Sequence, residues 1–225
     1  MREFRSIAID GPSGAGKSTM AKKAAERFGF VYVDTGAIYR SIGLFVLRAG
    51  VDSKDREGVK ALLGDIDLEI KYENGVQHML LNGEDVSGEI RTPEVSIYAS
   101  DVSAMPEVRA FLLEMQRDMA RKHDVIMDGR DIGTVVLPHA QLKIFLTASP
   151  EERAKRRLDE LQAKGLDVSF EEVLRDIRYR DENDSSRAAA PLKAAEDAVI
   201  IDTTGNTLEK SIEVICSEIS GKFGL

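Results

Sequence analysis

The chain is short of the residues that mark secreted, membrane-bound or nucleic-acid-coating proteins. It has one cysteine, Cys216, so no internal disulfide can form, and one thiol gives no metal cluster. A chain without a disulfide framework is expected in a reducing cytoplasm. The N-terminal MREFRSIAID carries a charge or two but no apolar stretch of signal-peptide length, and no later run reaches the length of a membrane span. Positive charge is also scarce. Lys and Arg number 31 against 39 Asp and Glu, a net charge of −8, which argues against non-specific binding to nucleic acid, because backbone phosphates need a basic surface. Any basic site must therefore be local. There is no internal repeat and no low-complexity segment. What remains, 43% hydrophobic and 31% charged over 225 residues, describes an ordinary globular protein with one α/β core and appendages.

The strongest positive signal is GPSGAGKST at residues 11–19, which fits G-x-x-x-x-G-K-[ST] with Gly11, Gly16, Lys17 and Ser18 in register. It follows the apolar run Ser6–Ile9, and a helix is expected from about Lys17. Strand, phosphate loop and helix are the context that separates this motif from a chance glycine-rich turn. Glycines allow successive backbone N–H groups to turn inward around a polyphosphate. Lys17 is placed for the β- and γ-phosphates, Ser18 offers a hydroxyl to Mg²⁺, and the helix N-terminus adds its positive dipole end.

Apolar periodicity then predicts a helix over 20–28, a buried strand at Phe30–Val33 ending on Asp34, and a further helix through Asp34–Arg40. Polar groups at that strand end should face the crevice where α/β sheets bind ligands, although Arg40 taken alone reads equally well as a surface arginine. Residues 51–64 read as a polar connection and a short helix. Alternation over Asp67–Tyr72, the turn signal Asn74-Gly75, the run Val76–Leu81 and a second turn signal Asn82-Gly83 predict two or three antiparallel strands inserted at about 64–90. Residues 91–109 give few strand cues, and Val108, Phe111, Leu112, Met115 and Met119 mark an amphipathic helix. His123–Asp128 is an apolar run closing on an acid, followed by Gly129-Arg130-Asp131. An acid there lies beside metal and phosphates in phosphate-loop enzymes, while Asp-Gly is also plain turn chemistry. Strands follow at Leu142–Leu146 and Ala198–Ile201. Helices open at Ser149-Pro150 and Ser169-Phe170, each with a capping glutamate, and a last one carries Leu208, Ile212, Ile215 and Ile219.

Seven arginines fall between Arg153 and Arg187, but with two lysines they face nine acids, so the segment is near neutral. The choice of guanidinium over ammonium is the informative feature, because its planar fork grips phosphate oxygens two at a time. Arg153 and Arg157 share a helix face, and so can Arg180, Asp184 and Arg187. Arg156, Arg175 and Arg178 read as solvated surface pairs. Two arginine-rich helices around a mobile Lys164-Gly165 tip would make a lid over phosphates, with Ala188–Pro191 as its hinge. A lone phosphate loop suits a switch GTPase, a motor or a small-molecule kinase. No guanine-reading Asn/Thr-Lys-x-Asp is present, and the arginines favour transfer between two phosphate-bearing molecules.

With GPSGAGKST, the segments DTGAIYR (34–40), NGEDVSGEIRT (82–92), DGRDIGTVV (128–136), KIFLTAS (143–149) and the arginines and acids of 180–192 make the chain resemble the bacterial cytidylate kinases over nearly its whole length. The resemblance implies a single domain of the P-loop nucleoside monophosphate kinase fold. Its parallel-sheet core, flanked by helices, would comprise 1–63, 91–150 and 188–225. A small antiparallel monophosphate-binding insertion would span about 64–90 and a lid about 151–187. It implies ATP-dependent phosphorylation of CMP and dCMP with Mg²⁺, in a cytoplasmic monomer with no nucleic-acid or membrane partner. Gly11, Pro12, Ser13, Gly14, Ala15, Gly16, Lys17, Ser18 and Thr19 would bind ATP, with Ser18 toward Mg²⁺. Lys17, Asp128, Arg130, Arg153 and Arg157 would serve the transfer. Arg40, Arg130 and Arg187 would clamp the acceptor phosphate, with Asp34 and Thr35 beside them; some members carry serine at Thr35, and the hydroxyl is kept. Ser100, Arg109 and Asp131 would read cytosine, and Arg180 and Asp184 the pentose. Kinases of shikimate or dephospho-coenzyme A, and a nucleotide switch without an acceptor, are the competing readings.

Overall fold

The computed structural model describes residues 4–163 and 165–225, so Lys164 of the expected lid tip lies outside the described residues. The chain divides into two compact units, one formed by residues up to Tyr32 and from His123 onward, the other by Val33–Lys122.

The first unit is built on a parallel sheet. Strands β1 (Ser6–Asp10), β2 (Val31–Asp34, within which the division falls), β6 (Val125–Gly129), β7 (Leu142–Thr147) and β8 (Val199–Asp202) take the order β2-β6-β1-β7-β8. The central strands are continuous apolar runs because helices cover both faces: Ile7, Ala8 and Ile9 are fully buried, as are Val125, Ile126 and Met127. Register places Asp10 opposite Gly129, and Thr147 opposite Asp202, so the carboxyl ends of neighbouring strands lie side by side. That edge is where open α/β sheets carry their ligands. Helix α1 (Lys17–Phe28) ends on Gly29, whose positive φ of 73° closes it, and packs Met20, Ala21 and Ala24 into the same core as Ile215 and Ile219 of α8 (Leu208–Phe223). Helices α6 (Pro150–Ala163) and α7 (Phe170–Ser186) form a hairpin with a small core of its own, Ala154, Leu161, Val173 and Ile177. A reciprocal Ser169–Glu172 box starts α7. Chain order here follows the pattern read from the sequence.

The second unit holds α2 (Thr35–Arg48), α3 (Arg56–Leu62), a three-stranded antiparallel sheet β3 (Leu68–Glu73), β4 (Val76–Leu81) and β5 (Glu84–Asp85), then α4 (Pro93–Val102) and α5 (Pro106–Lys122). Both Asn-Gly pairs turn with positive φ, Asn74 at 51° and Gly75 at 77°, Asn82 at 50° and Gly83 at 84°, the geometry a two-residue hairpin needs. Its core gathers Ile38, Ile42, Val46, Met79, Leu81, Val102, Val108 and Leu112. Helix α4 is the element that apolar periodicity leaves unassigned. Its start was nonetheless written in Thr92-Pro93: the threonine hydroxyl accepts from the Val95 N–H and proline occupies the first turn. It packs against α2 so closely that a Cβ on Gly43 would lie 2.8 Å from the Ala99 backbone nitrogen.

Candidate active site

The phosphate loop joins β1 to α1 in the first unit, and its glycines are there for space as well as for φ. A Cβ on Gly11 (φ 149°) would lie 1.9 Å from the Leu146 carbonyl oxygen, and Gly16 (φ 86°) stands at the helix start. Between them run Pro12, Ser13, Gly14 and Ala15; Thr19 is exposed in the first turn of α1. Lys17 is buried, and its Nζ donates to the Pro12 carbonyl at 2.7 Å, curling the ammonium over the loop. Burial, with Arg130 adding to it, pulls the lysine well below its usual pKa, against the carboxylates of Asp128, Asp184 and Asp10. A ligand with negative oxygens at this lysine would favour its charged form.

Two acids at strand ends frame the loop. Asp128 accepts from the Ser18 hydroxyl at 2.8 Å and from the Tyr32 hydroxyl at 3.0 Å, so both oxygens are oriented. Asp10, the last residue of β1, is buried and accepts from the backbone N–H groups of Ile132 at 2.8 Å and Gly133 at 2.7 Å. Burial pushes its carboxyl up to about 6. Among the described residues no three His, Cys, Asp or Glu side chains form a cage for a metal ion. The hydroxyl of Ser18 and the Asp128 carboxylate are hard oxygen donors at the head of α1, a donor set suited to Mg²⁺ held jointly with phosphate oxygens.

The arginines come next. Arg130, which directly follows β6, donates from Nε to Asp184 on α7 at 2.7 Å, and Arg187 donates to the other oxygen of the same carboxylate. Burial works to raise the Asp184 pKa, but Arg130 and Arg187 outweigh it and hold the carboxyl below its usual value; Arg180 acts in the same sense. Asp131 is buried beside Arg130 at the head of a single π-helical turn, Ile132–Val136. Arg153 and Arg157, one turn apart on α6, have different surroundings. Arg153 is 3% exposed and donates to the Ser13 carbonyl of the phosphate loop, to the Ala148 carbonyl and, with both Nη atoms, to Asp181 at 3.0 and 2.6 Å. Arg157 is half-buried and pairs with Glu160 at 3.0 Å. Arg178 makes an exposed pair, but with Glu151, 27 residues away on α6, rather than with a neighbour on its own helix, whereas Arg156 adds two bonds to Thr203 to its Glu152 pair and so ties α6 to the segment after β8.

In the second unit Asp34 caps α2. One oxygen accepts from the Ala37 N–H at 2.8 Å and the other from Arg40 at 3.0 Å, with Arg91 at 3.7 Å. Burial opposes ionisation of Asp34, and Arg40 with the Ala37 N–H reverse it, lowering the pKa. The Nε of Arg40 is a buried donor with no partner, a position suited to an anion. Thr35 is buried at the first position of α2. Ser100 is buried on α4, and its carbonyl accepts from Ser103 at 2.8 Å. Arg109, on α5, donates to the Ser103 carbonyl at 3.2 Å and lies 5.6 Å from the centroid of the Tyr39 ring. Asp10, Tyr32 and Asp181 escape sequence reading. Asp10 carried a usable signal, since it is an acid closing a buried strand, as Asp128 is; Tyr32 and Asp181 carried none.

The described residues contain no helix long and apolar enough to cross a membrane. Residues 7–221 match the family model described as cytidylate kinase. The chain is 52% identical to a cytidylate kinase of Caldicellulosiruptor bescii over 93% of this chain and 92% of that one. It is 50% identical to one of Carboxydothermus hydrogenoformans, over 96% and 97%. An uncharacterized protein of Eubacterium ventriosum, 14% identical with a TM-score of 0.50 over 96% of this chain and 98% of its own, shares the fold.

Proposed function

The chain belongs to the cytidylate kinase family, and on that premise we propose that it transfers the γ-phosphoryl group of ATP to the 5′-phosphate of CMP or dCMP, releasing ADP and CDP or dCDP. The observation that carries this is an identity of about one half, spread over nearly the full length of both chains, with the phosphate loop intact at Gly11–Thr19.

Gly11–Thr19 bind the ATP phosphates through loop N–H groups, and Lys17 neutralises charge on the group that moves. Ser18 and Asp128 would hold Mg²⁺, which would supply Lewis-acid neutralisation of phosphate charge. Arg40, Arg130 and Arg187 clamp the acceptor phosphate, with Asp34 orienting Arg40 and Thr35 beside them on CMP. Arg153 and Arg157 cover the transferring group. Little covalent chemistry is asked of the protein: it aligns the acceptor oxygen with the γ-phosphorus and offsets developing charge. Asp131, with Ser100 and Arg109, reads cytosine. A carboxylate accepts from the N4 amine, whereas uracil presents a carbonyl there and leaves two acceptors facing each other. Arg180 and Asp184 hold the pentose. The enzyme works as a cytoplasmic monomer.

A coupled assay of ADP release over a panel of monophosphates tests the reading. CMP and dCMP should turn over, UMP weakly and AMP negligibly, and Asp131→Ala should erode the CMP-over-UMP preference. Equal turnover of AMP would overturn the cytosine-specific reading, and no turnover with any monophosphate would overturn it in favour of the shikimate-type kinase or the switch.

A further inference from the structure

Asp10 is a buried carboxylate with no part in the mechanism above, and both its oxygens are committed to one place. They accept from the N–H groups of Ile132 and Gly133, the first two residues of the π-helical turn after Arg130-Asp131. N–H groups at the start of such a turn are ordinarily capped by a side chain standing just before it. Asp131 holds that position and is a residue type that caps well, yet it makes no capping bond to its own turn. The cap comes instead from 122 residues away, across the β1–β6 register that sets Asp10 beside Gly129. Space at the contact is tight as well: a Cβ on Gly133 would lie 3.3 Å from the Asp10 carboxylate and 3.1 Å from the Lys143 side chain.

We propose that Asp10 is a positioning residue for the acceptor nucleotide, capping this turn from another strand so that Arg130 and Asp131 are held in place and the Asp131 carboxylate is not spent on its own backbone. The inference rests on the reading that Arg130 and Asp131 contact CMP. Its consequence is selective. Although Asp10 directly precedes the ATP loop, its bonds run to the acceptor segment, so loosening them should weaken CMP before ATP.

The test is Asp10→Asn, which keeps the shape but turns an amide N–H₂ toward one of the two backbone donors, read by calorimetric titration of CMP and of ATP and by CMP and UMP kinetics. The Kd and KM for CMP should rise tenfold or more, the CMP-over-UMP ratio should fall, and the ATP Kd should stay within twofold. Unchanged CMP affinity, or equal loss of CMP and ATP with selectivity intact, would overturn the proposal and leave Asp10 a merely structural residue. Gly133→Ala crowds the same contact without touching the charge, and it carries the same expectations if Asp10→Asn fails to fold. Arg130→Lys reports separately on the reading beneath. If it leaves CMP affinity intact while Asp10→Asn lowers it, the assignment of Arg130 falls and the role of Asp10 stands; if neither changes it, both fall.

Discussion

Asp184 joins two guanidinium groups, and the substitution Asp184→Asn measures what that junction is worth. The carboxylate is 4% exposed, Arg187 is 3% and Arg130 is 21%, so solvent screens the three charges little. Asparagine keeps the volume but removes the charge and presents an amide donor to donors. Removing one partner from a buried ion pair costs about 3–5 kcal/mol, because the other charge remains buried and uncompensated. For a chain of this size each kcal/mol lowers the melting temperature by about 2–4 °C, so the variant should melt roughly 6–20 °C lower. With no tryptophan in the chain, circular dichroism at 222 nm or calorimetry is the suitable assay. The pH dependence has a definite sign. The folded carboxyl is held below its usual 3.8, so its contribution is present above that pH and is lost as pH falls through the lower folded value. The gap between variant and native protein should therefore close in acid. Sulfate should stabilise the variant more than the native protein, since it supplies the anion the two arginines have lost. A loss below about 1 kcal/mol, the range of exposed pairs, would refute the claim that these charges are buried and mutually dependent.

Three further outcomes follow from the geometry. Lys17→Met should lower kcat by about 10²-fold or more, the scale for losing one preorganised donor to a developing anion, while CMP binding measured by calorimetry stays within a few-fold. Comparable loss of CMP affinity would place the lysine on the acceptor. Gly11→Ala should abolish ATP binding, because its Cβ would sit 1.9 Å from the Leu146 carbonyl oxygen at a φ of 149°; ATP affinity near the native value in a folded variant would show that the loop can open there. The Asp10 carboxyl is raised from 3.8 to about 6, so native stability falls as pH rises through that window. Relative to Asp10→Asn, the native protein should lose on the order of 1–2 kcal/mol between pH 5 and 7.5, a difference that urea titrations resolve and whose absence would contradict the burial of that charge.

What sequence could reach depended on how local the cause was. The strands and helices of the parallel core announced themselves because their apolar periods and caps are properties of neighbouring residues, as at Met20–Phe28 and Ser169–Glu172. Both Asn-Gly hairpins did so for the same reason. Helix α4 stayed unassigned because its buried face includes Ser96, Ala99 and Ser100, which carry no hydrophobic period, and only its Thr92-Pro93 start was informative. The glycine-rich loop was legible because its geometry needs specific residues in sequence. The partners of its neighbours were not. That Arg153 finds Asp181 at a separation of 28 residues, or that Asp10 caps a turn 122 residues away, is decided by strand register and helix packing. A sequence spacing of four put Arg153 and Arg157 on one face; packing then buried one against Ser13 and left the other beside Glu160.

The same pairings explain how a chain of net charge −8 can carry the arginines proposed to bind phosphate. Arg153 has Asp181, Arg130 and Arg187 share Asp184, and Arg40 has Asp34, so each guanidinium has a carboxylate within its own unit. A carboxylate satisfies the planar fork much as a phosphate does. Buried arginines would otherwise repel one another and lose their hydration without compensation. These aspartates therefore keep the forks compensated and oriented, at the expense of competing for the groups they orient. On the proposed reading, phosphate binding would be an exchange, whose free energy is the difference between two charge-assisted contacts rather than the whole of one. Arg40 departs from this pattern in one atom. Its Nη2 is bound to Asp34 while its buried Nε has no partner, so an anion there satisfies a donor that the fold leaves over, without displacing the carboxylate.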